Sequence, residues 1–565
     1  MTLKNLSMEG QDEMINKVGG SVDFLHRTLT ALAGQRTLCA RPDGVQDQVL
    51  DDILGQQRGT EFGREHDLAS VRSLADWQAA VPVRDYEDYR PYIDRILQGG
   101  QSVLTRSSPY AFLKTSGTSG RAKLVPTTRH WRENYRGPAL YAQWGLYFQL
   151  LGIQRVEPWT ALDLSWERTA CSPEQNGFPV YSITQRWESF GGSDWTPPWY
   201  GTSWFDDSLG HLEDVDRLYG KARLLAGREV RLIVSVNPSK LVLFAEQIRD
   251  RAEEFIRDVR DGTLLGRRHP GLRPDPALAR RLAAARAAHP LVLTDVWPSL
   301  SLLVCWMSAS ARLYEAWLRQ LAPEVPILPF STTGTEGIVT LPIDGHTAAG
   351  PLAVDQGIYE FFETDADGRM LGDPGGFADL SLGGTYRLVM SQANGLVRYD
   401  VGDLYRVTGW AGRVPRLEFT GRAGRNSSFT GEKLTESDFY EAVARATGDA
   451  GTVVPMFTGI PVWDTPPRYV VALEQQTPDE GLGERIEAIL QQVNIEYADK
   501  RRSWRLGALS VIALPPGAFH QVARHRMRSG VASAQLKHHW LQPDAALLDV
   551  LAELDLVKAP EAVRP

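Results

Sequence analysis

LKTSGTSGRAKLVPTT, Leu113 to Thr128, is the stretch on which the reading of this chain turns. An apolar start enters a Gly/Ser/Thr loop, then comes a lysine, then VPTT. Thr115, Ser116, Thr118 and Ser119 supply hydroxyls, and Lys123 adds a positive charge. Gly117 and Gly120 let backbone N–H groups approach a ligand closely. Together these groups suit a loop that wraps the β- and γ-phosphates of a nucleotide. It is not a Walker A loop, because Arg121 and Ala122 separate Gly120 from Lys123 and no Gly-Lys-Ser/Thr occurs. Taken alone, the stretch also reads as a polar Gly/Ser turn.

Three further segments carry chemistry. In PFSTTGTEGIVTLP, Pro329 to Pro342, an apolar strand enters a turn ending in Thr335-Glu336-Gly337. A glutamate beside a threonine suits Mg²⁺ next to a phosphate, since hard cations prefer oxygen ligands; a solvated hairpin turn is the plain alternative. In GLVRYDVGDLYRVTGW, Gly395 to Trp410, Asp403 follows a glycine in a strand-rich setting. A fixed carboxylate there suits both hydroxyls of a ribose, whereas Asp400 reads as a structural turn residue. In LEFTGRAGRNSSFTGEKLTESDF, Leu417 to Phe439, Arg422 suits ribose or phosphate, and Lys433 lies in a Gly-Glu-Lys turn before a helix that Thr435 caps.

Composition sets the outer bounds. With 565 residues the chain is too long for one ordinary core, so two or more folding units are expected. Its 43% hydrophobic and 23% charged residues are ordinary for a globular protein. A formal net charge of -8 argues against nucleic acid as the main partner. Cys39, Cys171 and Cys305 are odd in number and widely spaced, which speaks against a disulfide framework or a structural zinc and for a reducing cytoplasm. MTLKNLSMEGQDEM has no apolar core of a secretory signal. The longest apolar run, Leu300 to Met307, is too short for a bilayer, which needs ~20 residues. It reads as a buried element or a pocket wall, with Leu302, Leu303, Trp306 and Met307 as candidate contacts for an acid.

Along the chain, residues 20–55 read as mainly helical, as do Tyr86 to Leu97 and Trp131 to Leu151. Residues 155–210 are rich in Trp, Pro, Gly and Ser with weak periodicity. Val230 to Pro238 reads as a buried strand, followed by one helix through Leu241, Phe244, Ile248, Phe255 and Val259 with Ser239 as its cap. The Ala/Arg-rich Pro276 to His289 reads as a helix whose arginines form a solvated face, with anion binding as the alternative. Strands follow at 325–345, at Gly357 to Thr364 and from Gly383, with short strands on to Phe419. After Gly424 the texture turns to a smaller α+β pattern: a helix from Glu436 to Thr447, a strand from Arg468 to Glu474 and a helix from Glu480 to Tyr497.

The four segments, in this order, resemble the Gretchen Hagen three (auxin-responsive) acyl acid amido synthetases, of the adenylate-forming ligase superfamily. The family's S-S-G-T-S/T-x-G-x-x-K loop is matched by Ser116 to Lys123 with one deletion-like adjustment. VPVRDYEDYRPYIDRILQGGQSVL at Val81 resembles the stretch before that loop, and DVWPSL at Asp295 the stretch before the second motif. RYDVGDLYRVTGW and GRAGRNSSFTGEKLTE resemble the family's Y-R-x-G-D-x-x-x-V-x-G-F and domain-joining motifs. The likeness runs from about Val81 to the C-terminus. Two departures stand out: Thr335-Glu336 replaces the Ser-Glu usual in plant members, and His538-His539 replaces the Pro-Arg after the family lysine, aligned with Lys537. The chain looks like a bacterial member.

The resemblance implies a mixed α/β fold: a large N-terminal adenylate-forming domain with helix-flanked sheets, residues 1–423, and a smaller, mobile α+β C-terminal domain, residues 424–565. It implies ATP and Mg²⁺, with activation of a carboxylic acid as its adenylate, release of pyrophosphate, transfer to an amine such as an amino acid, and release of AMP. Thr115, Ser116, Gly117, Thr118, Ser119, Lys123, Thr335, Tyr399, Asp403 and Arg422 would bind ATP. Glu336 would hold the metal, and Lys537, or Lys433 in its place, the α-phosphate charge. A thioester ligase using coenzyme A or a carrier protein shares nearly every motif, and a non-catalytic nucleotide-binding paralogue is the alternative outside enzymes. Neither nucleic acid nor membrane is an expected partner. The acid, the amine and the oligomeric state stay open: the 16 tryptophans do not decide between aromatic and fatty acids.

Overall fold

The computed structural model describes residues 22–114, 123–164, 172–182, 209–210, 212, 214–346, 349–365, 368–423, 434–448, 454–464, 466–475, 480–503, 505–528, 538–542 and 544–557. The chain packs as two compact units, one of Met1–Ser308 with Leu321–Ala423, the other of Ala309–Gln320 with Gly424–Pro565. The fold is mixed α/β, with the larger unit first.

Local sequence explains how the first unit starts. Val22–Ala40 and Val45–Gln57 are helices. Tyr86–Leu97 begins at Asp85, whose carboxylate accepts the Glu87 and Asp88 N–H groups while Asp88 closes a capping box. Its Tyr86, Tyr89, Ile93 and Ile96 recur at spacings of three or four, and all are buried. Beyond the phosphate-loop segment, Arg129–Trp131 is a helical turn, Arg132–Arg136 widens to π geometry, and Gly137–Leu150 continues as α-helix. Such π turns are frequent at functional sites.

Three main sheets build the unit. Leu124–Thr127, Ala111–Lys114, Phe178–Ser182 and Ser172–Gln175 form one, in that spatial order. Ile327–Pro329, Leu302–Cys305, Leu232–Ser235 and Ala161–Asp163 form a parallel sheet. Every residue of these four strands is buried, as expected where a parallel sheet is covered on both faces. The third sheet is antiparallel, with the order Gly350–Pro351, Val414–Arg422, Tyr399–Ala411, Thr385–Ser391, Ile358–Thr364 and Met370–Gly375. A core from Phe24 through Leu417 joins helices and sheets.

The second unit pairs Phe457–Val462 antiparallel with Arg468–Glu474, which pairs parallel with Ser510–Leu514. Ile460, Val470, Leu514, Phe519, Val522, Leu547 and Leu551 form its core. Thr435 caps the helix Glu436–Thr447 through the Asp438 N–H in a capping box. Ala309–Gln320 joins this unit because Tyr314 and Trp317 pack on the buried Trp540, with ring centroids 5.8 Å and 6.1 Å away. The sequence reading placed that segment in the first domain.

Three local expectations need correction. Asn237, not Ser239, caps the helix Pro238–Asp250: its carboxamide oxygen accepts the Ser239 N–H, and Pro238 fills the first turn. That helix ends at Arg251, and Ala252–Asp261 is separate. Likewise Leu482–Val493 stops at Asn494, whose side chain caps Ile495–Arg502 through the Tyr497 N–H. Among the described residues no helix is long and apolar enough to cross a membrane, and Cys39 and Cys305 are buried.

Candidate active site

The strand Tyr399–Ala411 and its neighbour Val414–Arg422 carry the centre of the site. Their register sets Asp403 opposite Arg422, and the Arg422 guanidinium donates from Nε to Asp403 Oδ1 over 2.7 Å. The Asp403 side chain keeps 17% of its surface and that of Arg422 45%, so the pair stands at an open edge. Gly402, at φ 76°, turns the backbone just before Asp403 in a conformation that L side chains rarely adopt. Asp400 lies in the strand rather than in the turn expected from sequence, and it is tied into the scaffold: it pairs with Arg387 at 2.5 Å and accepts the Gly402 N–H at 2.8 Å.

Lys123, the last residue of the phosphate-loop motif, donates from Nζ to the Tyr399 hydroxyl at 3.3 Å. The ring of Tyr86, 5.5 Å from Nζ, and that of Tyr399, 5.9 Å away, give the ammonium two aromatic faces. Burial pushes the Tyr86 phenol up to about 12, so it stays protonated and holds the Leu124 backbone through its hydroxyl. Burial, then the negative field of Glu336, raises the Tyr399 phenol, while Arg422 opposes them. Partial burial works against the Arg422 charge, but Asp403, then Glu336 and Tyr399, outweigh it and lift the guanidinium above its ordinary value. Lys123, Tyr399, Glu336, Asp403 and Arg422 therefore form one electrostatic neighbourhood.

Glu336 sits in the turn between Thr332–Thr333 and Ile338–Thr340. The Thr335 hydroxyl donates to Glu336 Oε2 at 2.9 Å, and Asn394 Nδ2 donates to the Glu336 carbonyl at 3.3 Å. Gly337 lies so close to Gln392 that a Cβ there would come within 2.7 Å of its carboxamide carbon. The Gln392 oxygen accepts the Trp131 indole N–H at 3.2 Å. Arg136, in the π turn, lies over the Trp131 ring at 5.4 Å and donates to the Gly334 carbonyl at 3.2 Å. Burial brings its guanidinium down to about 10 while Glu336 pulls the other way, so Arg136 stays cationic at neutral pH. Sequence reading missed Tyr86, Trp131, Arg136, Gln392 and Asn394. None stands in the four motifs, and only the folded backbone brings them to Glu336 and Lys123.

Leu302 and Leu303 lie in the buried parallel sheet, Met307 is buried just beyond it, and Trp306 packs against Phe419 with centroids 5.3 Å apart. Thr115, Ser116, Gly117, Thr118, Ser119, Lys433 and Lys537 lie outside the described residues. Next to Lys537, His538 is half-buried, and its Nε2 bonds the Phe457 carbonyl at 2.7 Å. Trp540 and Gln542 then bond Gly459, which pins this stretch to the strand Phe457–Val462. No cluster of three or more His, Cys, Asp or Glu fit to hold a metal occurs among the described residues.

Three family models match in chain order: the GH3 family N-terminal domain at residues 31–327, its central domain at 350–422 and its C-terminal domain at 437–546. The chain belongs to the GH3 family. An indole-3-acetic acid-amido synthetase of Oryza sativa subsp. indica is 26% identical over 545 residues, covering 88% of this chain and 87% of its own. A jasmonoyl–L-amino acid synthetase of Nicotiana attenuata is 24% identical, covering 87% and 90%. A 4-substituted benzoates–glutamate ligase of Arabidopsis thaliana is 24% identical, covering 89% and 93%. These are plant proteins, and the expectation of a bacterial-looking member is not borne out. A solved acyl acid amido synthetase in complex with 2,4-DB has a TM-score of 0.75 at 20% identity, covering 94% of this chain and 96% of that one. A second solved acyl acid amido synthetase has a TM-score of 0.72 at 22% identity, covering 92% and 94%. At these identities the likeness speaks for the fold.

Proposed function

We propose that this chain is an ATP- and Mg²⁺-dependent acyl acid amido synthetase. It joins a carboxylic acid to an amine, in keeping with relatives named for amino-acid conjugation. The observation that carries the reading is the gathering of the Lys123–Tyr399 contact, Glu336 and the Asp403–Arg422 pair into one neighbourhood. Phosphate, metal and ribose chemistry need these residue types side by side.

A carboxylate is a poor electrophile toward amines. Attack of its oxygen on the α-phosphorus of ATP expels pyrophosphate and gives the acid a good leaving group. The amine nitrogen then attacks the acyl carbon, loses its proton, and AMP leaves. Catalysis of the first half is positioning and charge stabilisation. Lys123, held between two tyrosines, meets the β- and γ-phosphates together with Thr115, Ser116, Gly117, Thr118 and Ser119. Arg422 orients Asp403, whose carboxylate accepts the ribose hydroxyls. Arg136 keeps a buried positive charge beside the Glu336 turn. Lys537, with Lys433 as the alternative, meets the charge that develops on the α-phosphate.

Glu336 with Thr335 offers one carboxylate, not a cage. That fits Mg²⁺, which typically binds through one or two carboxylates, substrate phosphates and waters. The metal would neutralise charge on the departing pyrophosphate. The small number of cysteines, widely spaced in the chain, supports action in the cytoplasm.

The test is product analysis by mass spectrometry. The chain, ATP and Mg²⁺ are incubated with a panel of acids and, in turn, amino acids or thiols. Amide, AMP and pyrophosphate in equal amounts support the reading; a thioester as the sole acyl product contradicts it.

A further inference from the structure

Two buried hydrogen-bond donors stand beyond the carboxyl end of the parallel sheet. Gln143, on the helix Gly137–Leu150, is 0% exposed, and Ser331, just past the strand Ile327–Pro329, is 2% exposed. The Ser331 backbone N–H donates to Gln143 Oε1 at 2.8 Å. That bond fixes the carboxamide, so its Nε2 amine points away from the Ser331 backbone. Among the described residues neither Gln143 Nε2 nor the Ser331 hydroxyl has a hydrogen-bond partner. Leaving such a group unmatched costs more than a typical bond gains, so a buried polar pair of this kind calls for an acceptor.

Their place in the fold points to the acceptor. Ligands of open α/β sheets sit beyond the carboxyl ends of the parallel strands. Ser331 lies at that end, and the Phe330 N–H bonds the Cys305 carbonyl at 3.0 Å, which ties it to the neighbouring strand where Trp306 and Met307 follow. Four residues after Ser331 comes Thr335, at the start of the Glu336 turn. An apolar wall with a few placed donors, next to the reacting centre, is the make-up of a small-molecule pocket.

We propose that Gln143 and Ser331 form a subsite for a hydrogen-bond acceptor in the tail of the acid. The substrate class is then an acid bearing a carbonyl or ether oxygen remote from its carboxylate, not a plain hydrocarbon acid. This rests on the reading of the chain as an acid-activating enzyme.

The probes are phenylalkanoic acids with a ketone in the tail, each set against the acid with CH₂ in its place, at several chain lengths. Affinity is read by calorimetry, and activation by acid-dependent pyrophosphate exchange. The native chain should favour the best keto acid over its CH₂ partner by roughly 10- to 100-fold, because the CH₂ acid leaves the donors unmatched. Ser331→Ala keeps the backbone bond to Gln143, and Gln143→Glu keeps an oxygen for the Ser331 N–H, so both spare the local structure. Each removes one of the two donors and should lower the ratio several-fold. Equal affinities in the native chain at every length, as when a buried water satisfies both donors, overturn the subsite. So does a preference that stays undiminished in both variants. Selective binding without exchange overturns the proposed function and leaves the subsite standing.

Discussion

Arg398, one residue before Tyr399, gives a perturbation whose size follows from its surroundings. Its side chain is 7% exposed and that of its partner Glu360 1%. Nε and Nη2 each donate to a Glu360 oxygen at 3.0 Å, and Nη1 donates to the Gln78 and Val81 carbonyls at 2.9 Å and 2.6 Å. The Arg398 carbonyl accepts the Arg84 N–H, and the Arg84 carbonyl accepts the Asp400 N–H, both at 2.9 Å, so the same residue seats the strand that carries Tyr399. Arg398→Met keeps most of the side-chain volume but strands a buried carboxylate, a loss of about 3–5 kcal/mol. For a unit of roughly 400 residues, unfolding entropy near 2.1 cal/mol/K per residue converts this to a fall of about 4–6 °C in Tm. Arg413 and Asp43, 61% and 70% exposed, make the control: Arg413→Gln should cost less than about 1 kcal/mol and shift Tm by about 1 °C or less. Pairing Arg398→Met with Glu360→Gln should restore much of the loss. Scanning calorimetry of the four proteins decides. A shift for Arg398→Met no larger than for Arg413→Gln refutes the argument.

Asp403→Asn removes a charged acceptor and loosens Arg422, so KM for ATP should rise by roughly 10- to 100-fold with KM for the acid unchanged; initial rates over both substrates check this. Lys123→Met should lower kcat/KM for ATP by about 10²-fold, while Met in place of Lys at the exposed Lys114 should leave it within about twofold. His538 sets a pH dependence of folding. Burial drops its imidazole from 6.5 to about 4, so below pH 6.5 the unfolded chain takes up a proton that the folded chain refuses. The contribution of His538 is complete above pH 6.5 and falls away as pH drops toward 4, by roughly 3 kcal/mol in all. Denaturant melts of the native chain and of His538→Gln should diverge in slope over that window and run parallel above it.

Some of this was legible in sequence because the information was local. The helices Tyr86–Leu97 and Glu436–Thr447 begin at Asp85 and Thr435, each with an aspartate three residues on to close the capping box. The strand Arg468–Glu474 carries an unbroken apolar run. Ser239 misled because a serine is a good cap, whereas Asn237 before a proline is a better one. The long helix after it breaks at Arg251 with neither glycine nor proline to announce the break. What spacing could not give is partnership across strands. Asp403 and Arg422 are each visible as polar residues in a motif, but their ion pair follows from antiparallel register. Glu360 with Arg398, and Gln143 with Ser331, lie far apart in the chain and meet only in the folded unit. Ala309–Gln320 carries no mark of its own that it packs with Trp540 rather than with the residues around it.

The central claim is that one nucleotide and one acid react where Lys123, Glu336 and Asp403 meet. Exchange of radiolabelled pyrophosphate into ATP, over a broad acid panel and without any amine, tests it most directly. Label should enter ATP only when a suitable acid is present, and Asp403→Asn should raise the ATP concentration needed. Exchange without acid, or none with any acid while ATP binds, contradicts the account.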